Sequence, residues 1–142
     1  MKRFRFLLAM LALGLALVGC SNDPPKDPPV ITRFIVTTAD NIRAGPNSWV
    51  PMTTFTTGQA LGVGITLSSP YQDLAKIVFT VKSGGTVIQT RDYDGTFLKK
   101  GGTSNSGYSS FTFPVGSYTA EVYAEDIDGT KSNTMTVSFT VQ

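Results

Sequence analysis

SYTAEVYAED, residues 117–126, is the stretch that decides the fold. Tyr118, Ala120, Val122 and Ala124 fall on one side of it, and Thr119, Glu121, Tyr123 and Glu125 on the other. Such alternation marks a strand with one dry face, because successive side chains of extended backbone point to opposite sides. Two more stretches read the same way. ALGVGITL (60–67) sets Leu61, Val63, Ile65 and Leu67 against Gly62, Gly64 and Thr66. TMTVSFTV (134–141) sets Met135, Val137, Phe139 and Val141 against hydroxyl residues.

Working outward, ITRFIVTT (31–38), AKIVFTVK (75–82), TVIQTRDY (86–93) and YSSFTF (108–113) complete a set of seven expected strands. Their apolar residues are mainly Val, Ile, Phe and Tyr, which suit a pleated, half-buried surface. Ser83-Gly84-Gly85 suits a tight hairpin, and Asp94-Gly95 and Asp128-Gly129 mark turns. With no amphipathic helix in sight, residues 30–142 are expected to form one all-β domain, an antiparallel two-sheet sandwich. PVGSYTAEVYAEDIDGTKSN (114–133), with the alternating strand after it, resembles the last two strands of bacterial immunoglobulin-like and fibronectin type III-like domains. The resemblance implies that Gly116-x-Tyr118 is a tyrosine corner, its phenol bonding back to nearby backbone. The cysteine pair and core tryptophan of antibody domains are absent.

The first thirty residues are of another kind. Lys2, Arg3 and Arg5 precede an apolar run, Phe6 to Val18, and then Gly19-Cys20. As a helix that run would span about 20 Å, short of a hydrocarbon core of about 30 Å. It has the order of a secretory signal: charged, apolar, then a small residue before a cleavage point. Leu17-Val18-Gly19-Cys20 resembles the lipobox of bacterial lipoproteins. That resemblance implies removal of residues 1–19, a diacylglycerol thioether on Cys20 and an acyl chain on its new amino group. One chain gives marginal membrane binding, whereas two or three give retention. Ser21, rather than an aspartate, follows the cysteine, which by analogy implies the outer membrane. Residues 20–29 then carry four prolines, a composition that favours extended polyproline II and a linker holding the domain off the headgroups.

Charge and residue types exclude much. Setting Lys2, Arg3 and Arg5 aside from the 12 basic side chains leaves nine against 10 acidic ones, so no basic stripe for nucleic acid is expected. The chain has no histidine and its one cysteine is the acylation site, which removes His- or Cys-based nucleophiles and most zinc sites. Glu121, Glu125, Asp126 and Asp128 are the densest carboxylates, but the first two lie on an outer strand face. The expectation is no enzyme and no cofactor beyond the lipid.

Four residues remain as candidate contacts. Asp92-Tyr93-Asp94-Gly95 and Asp126-Ile127-Asp128-Gly129 are Asp-x-Asp-Gly segments, and Asp126 and Asp128 are the candidate calcium ligands. The spacing departs from the EF-hand loop, and the alternative is ordinary turn chemistry. Trp49 and Phe55 sit in a long connection, 39–59, where they either present a stacking platform for a sugar or partner, or fold back to plug the sandwich. A second long connection is expected at 94–107. If successive strands reverse direction, 39–59 lies at the pole far from the linker, with Trp49 facing outward. Segments 68–74, 94–107 and 127–133 then share the near pole. A hidden strand near 52–57 would disturb that alternation. The functional expectation is an envelope lipoprotein with an immunoglobulin-like binding module, for adhesion or envelope assembly, with an unidentified protein or glycan partner. A glycan-binding accessory role through the loop aromatics is the alternative.

Overall fold

The computed structural model describes residues 26–142, so the signal segment and Cys20 lie outside the described residues. Eight strands follow in order: β1 (Val30–Thr38), β2 (Thr54–Phe55), β3 (Leu61–Ser69), β4 (Leu74–Ser83), β5 (Thr86–Asp94), β6 (Gly102–Phe111), β7 (Gly116–Asp126) and β8 (Met135–Val141). A short helix, α1 (Ala39–Arg43), and a 3-10 turn (Pro46–Ser48) lie between β1 and β2. The strands form a three-stranded sheet, β1-β3-β6, and a five-stranded sheet, β2-β8-β7-β4-β5. All pairings are antiparallel except β2 with β8.

The alternating residues behave as their spacing dictates. Leu61, Val63, Ile65 and Leu67 of β3 are buried, as are Tyr118, Ala120, Val122 and Ala124 of β7 and Ile77, Phe79 and Val81 of β4. They belong to one core cluster between the two sheets. In β1 the register slips between Ile31 and Arg33, a bulge that lets Ile31, Phe34 and Val36 all reach that core. Gly84 and Gly85 both have positive φ, 56° and 81°, as a two-residue hairpin loop with right-handed strand twist requires. The Tyr118 hydroxyl donates to the Pro114 carbonyl at 2.7 Å, closing the tyrosine corner.

Three expectations change. First, 94–107 is not one long connection. β6 begins at Gly102 and runs through TSNSG, a polar segment whose strand character no apolar alternation announces. Second, the strand suspected near 52–57 exists as β2, yet the alternation survives, because the chain first crosses the outside of the smaller sheet. Met52 N donates to Val36 O, while Thr140 N donates to Thr53 O and Gln142 N to Phe55 O. This segment therefore ties the β1 edge of one sheet to the β8 edge of the other. Third, the linker does not stand clear of the domain throughout. Pro29 is buried, and Lys26 Nζ lies 2.7 Å from Asp128 Oδ2. Asn133 also accepts from Ile31 N and donates to Ile31 O, fastening the start of β1.

The smaller sheet is covered on its outer side as well. Gly62 and Gly64 of β3 and Gly107 of β6 leave a smooth surface, and α1 and Trp49 lie on it. A Cβ at Gly64 would come within 2.5 Å of Trp49 Cε3, and one at Gly107 within 2.7 Å of Ile42 Cγ2. Ile35, Ile42 and Trp49 form a second apolar cluster there. Thr38 caps α1 by accepting from Asn41 N.

Because Gly64 faces indole carbons that cannot withdraw, Gly64→Ala is expected to destabilise the domain by about 1–3 kcal/mol, the usual cost of overpacking. Urea unfolding followed through the chain's single tryptophan would measure it; unchanged stability would contradict the packing. Tyr118→Phe is expected to cost about 0.5–1.5 kcal/mol through the lost hydrogen bond.

Candidate functional site

The candidate residues fall in three places. Trp49 and Phe55 are inside the protein, at 4% and 2% exposure. Trp49 Nε1 donates to Ile42 O at 3.4 Å, and Arg33 Nη2 donates to Trp49 O at 2.6 Å. The indole thus seals the outside of the small sheet rather than the sandwich end or the solvent. Phe55 meets Phe139 edge-on, ring centres 5.8 Å apart, where β2 closes the flank. The expected outward platform is therefore absent at these two residues; both aromatics are structural.

Asp126 is 3% exposed. Its Oδ1 accepts from Asp128 N at 3.0 Å and Thr130 N at 2.8 Å, which folds the turn between β7 and β8. Asp128 instead accepts from Lys26 and from Gln72 Nε2, at 2.7 and 2.8 Å. In the other Asp-x-Asp-Gly segment, Asp94 accepts from Thr96 N at 2.8 Å. Among the described residues, no three carboxylate, histidine or cysteine side chains gather as a metal centre. The two aspartate segments work as turns. Glu121 pairs with Lys82 at 2.7 Å and Glu125 lies 3.8 Å from Lys76, so each glutamate has a lysine beside it on the outer sheet face.

Strand directions sort the rest of the surface into two poles. Residues 69–74, 95–101 and 127–134 share the pole where the linker arrives; 39–60, 84–85 and 112–115 leave strands at the opposite end. Beside the far pole, the five-stranded sheet carries a groove of about 520 Å3 lined by Thr54, Lys82, Thr119, Ser138 and Thr140 among others. Hydroxyls and the Lys82 ammonium, which is paired with Glu121, make it a largely polar surface, with Tyr118 and Phe139 also in its lining.

At the linker pole the loops are knitted together. Ile127 N donates to Asp73 O, Leu74 N to Leu98 O and Gly101 N to Ser69 O. Asp73 accepts from Lys100 N and pairs with Lys99 at 3.0 Å. These bonds hold the Asp73 carboxyl below its ordinary value, the backbone N–H of Lys100 contributing most. The backbone N–H of Thr96 does the same for Asp94, and the Lys26 ammonium for Asp128. Tyr71, Phe97 and Ile127 nevertheless stay in solvent, at 37%, 50% and 60% exposure. The sequence offered one signal for them: each lies inside a turn-forming run, SPYQD, DGTFLKK and DIDG, although in the second the neighbouring Leu98 is buried.

On the open flank, Tyr93 of β5 stacks on Tyr108 of β6, ring centres 3.8 Å apart. Burial pushes the Tyr108 phenol up to about 12 and raises that of Tyr93, against the pull of the Arg91 guanidinium. Both stay protonated at neutral pH, so they are no acid–base pair.

Comparison with known proteins supports this geometry. No family model and no curated protein matches the chain. Solved structures do. A PKD domain of an M14-like peptidase from a Thermoplasmatales archaeon aligns with TM-score 0.52 at 20% identity, over 82% of this chain and 98% of that one. A Niemann-Pick type C2 protein from the Japanese carpenter ant aligns with TM-score 0.50 at 9% identity, over 84% and 97%. A CARDB domain from Pyrococcus furiosus aligns more loosely, TM-score 0.42 at 9% identity, over 82% and 96%. The domain is an immunoglobulin-like β-sandwich.

Two predictions follow from the turns. Asp126→Ala is expected to cost about 1–3 kcal/mol, because two part-buried backbone donors, Asp128 N and Thr130 N, lose a charged acceptor; equal thermal midpoints would refute the capping role. For pH, Asp73, Asp94 and Asp128 all titrate below 3.8 in the fold, so the unfolded chain binds more protons below that value. Their contribution is complete above the unfolded pKa and lost as pH falls through the folded ones. Acid unfolding should therefore begin near and below pH 4, with a shallower slope in Asp128→Asn, read by circular dichroism.

Proposed function

We propose that the chain is a cell-envelope lipoprotein, held by acyl chains on Cys20, whose immunoglobulin-like domain binds a partner rather than transforming a substrate. One observation carries the binding role: an interaction-type sandwich receives its linker at one pole and keeps its polar groove at the other. A domain hung by that pole leaves the groove facing away from its support. The carboxylates singled out as candidates are engaged in turns or beside lysines, and the candidate aromatics are packed inside. Both support a module without catalysis. The destination is the outer membrane, on the analogy of Ser21.

The glycan reading shifts its ground. With Trp49 and Phe55 buried, a saccharide would meet the hydroxyls of Thr54, Thr119, Ser138 and Thr140, beside the Lys82–Glu121 pair. That arrangement suits polar ligands by hydrogen bonding; the two rings in its lining, Tyr118 and Phe139, are 6% and 3% exposed and offer little face for a sugar to stack on. A protein partner in adhesion or envelope assembly is the preferred occupant.

Metabolic labelling with a palmitate analogue tests the anchor. The wild-type protein is expected to take up label and sediment with membranes, and Cys20→Ser to lose both properties. A labelled, membrane-bound Cys20→Ser protein would refute acylation at that residue.

A further inference from the structure

We infer that the linker pole is a bilayer-contacting cap, with Tyr71, Phe97 and Ile127 entering the headgroup boundary of the membrane that carries the anchor. This deepens the lipoprotein reading and rests on it.

Three observations meet here. The first is the exposure just described: three large apolar side chains, one from each loop of a single pole. Scattered exposed apolar residues are ordinary, and Val50 and Val115 are exposed at the far pole, but only the linker pole presents one from each of its three loops, two of them aromatic. Their loops are cross-bonded through Asp73 and Asp128, so the cap is stiff and still leaves them outside. Val30, 40% exposed and paired with Ser68, adds a fourth at the same end.

The second is the length of chain between lipid and cap. Lys26 is held at Asp128 and Pro29 is buried, so the linker is docked from Lys26 onward. Six residue steps separate Cys20 from Lys26. Fully extended they reach at most about 21 Å. The headgroup region of one leaflet is about 5–7 Å deep. An anchored Cys20 therefore holds this pole within about 21 Å of the surface.

The third is side-chain chemistry. Tyr and Phe suit the membrane–water boundary, where an apolar body meets a wet rim. Lys100 Nζ lies 5.9 Å from the Tyr71 ring centre, and Lys99 is on the same loop. Lys99 is paired with Asp73, and Lys100 would meet lipid phosphates. Of the carboxylates at this pole, Asp73 and Asp128 are paired with lysines and Asp126 and Asp94 accept backbone N–H groups in their turns, while Asp27 is exposed in the linker, so the contact rests on the apolar side chains rather than on net charge.

The test uses the full lipidated protein, in which acylated Cys20 leaves an added thiol unique. Phe97→Cys, Ile127→Cys and, at the far pole, Val115→Cys are labelled with a nitrobenzoxadiazole dye. All three positions are at least half exposed, so the fold should tolerate them. Each protein is incorporated into vesicles of phosphatidylethanolamine and phosphatidylglycerol, with and without a nitroxide-bearing lipid, and flotation is recorded separately. The expected result is severalfold stronger quenching at 97 and 127 than at 115. Flotation without quenching at 97 and 127 would overturn the cap and leave the anchor standing, as would equal quenching at all three positions. Protein that fails to float would overturn both. Dye at 97 and 127 shielded from aqueous iodide but not quenched by nitroxide lipid would assign the cap to a protein partner, against the proposal.

Discussion

The contact on which the structure depends is the one between the inner faces of β3 and of β4 and β7. Leu61, Val63, Ile65 and Leu67 from one sheet meet Ile77, Phe79, Val81, Ala120 and Val122 from the other. Removal of this apolar surface from water is the main favourable term for a domain with one α-helix of five residues and, among the described residues, no metal centre. A slip of one residue in any of these strands would turn its apolar set outward, so the same burial sets the register. The β1 bulge is the one place in that sheet's first strand where a slip is built in, and it serves to keep Ile31 dry.

Once the two inner faces are joined, the flanks and outer faces become the problem to solve. On one flank the chain solves it with segment 52–57, which hydrogen-bonds to both sheets and carries Phe55 into the seam. On the other flank β5 and β6 are the outermost strands, and Tyr93 on Tyr108 and Arg91 over Phe111 cover the core there. The outer side of the small sheet is covered by a different device: glycine in adjacent strands lowers the surface, and Trp49 fills the space. A residue that looked like recognition chemistry is consumed by architecture.

What remains for recognition is a polar groove beside the far pole, where Val50 and Val115 are also exposed, and three exposed apolar loop residues at the linker pole. That division follows from strand number and direction rather than from any single residue. With the linker entering beside β1, every second loop must return to the same pole. The turns there are built by aspartates whose carboxylates accept backbone N–H groups; Leu98 reaches the core from them, while Tyr71, Phe97 and Ile127 do not. The far groove owes its hydroxyls to the outward positions of β7 and β8.

The sequence by itself determined the strands with one dry face and the hairpin glycines, which depend on local periodicity and on backbone preferences that neighbours along the chain suffice to express. The tyrosine corner is implied by the resemblance of residues 114–133, and the sorting of loops to poles by the reversal of successive strands. The sequence carried the strand β6 only from Tyr108 onward, since TSNSG has no apolar alternation and is held extended by its pairing with β3. The tertiary structure alone decided that Trp49 and Phe55 lie inside, that the linker end docks at Asp128, and that Tyr71, Phe97 and Ile127 stay out. A glycine at 64 shows that room exists, but what fills it lies fifteen residues away, and a turn residue's exposure depends on which loops close around it. Burial belongs to pairs of distant segments, and a one-dimensional pattern records only one member of each pair.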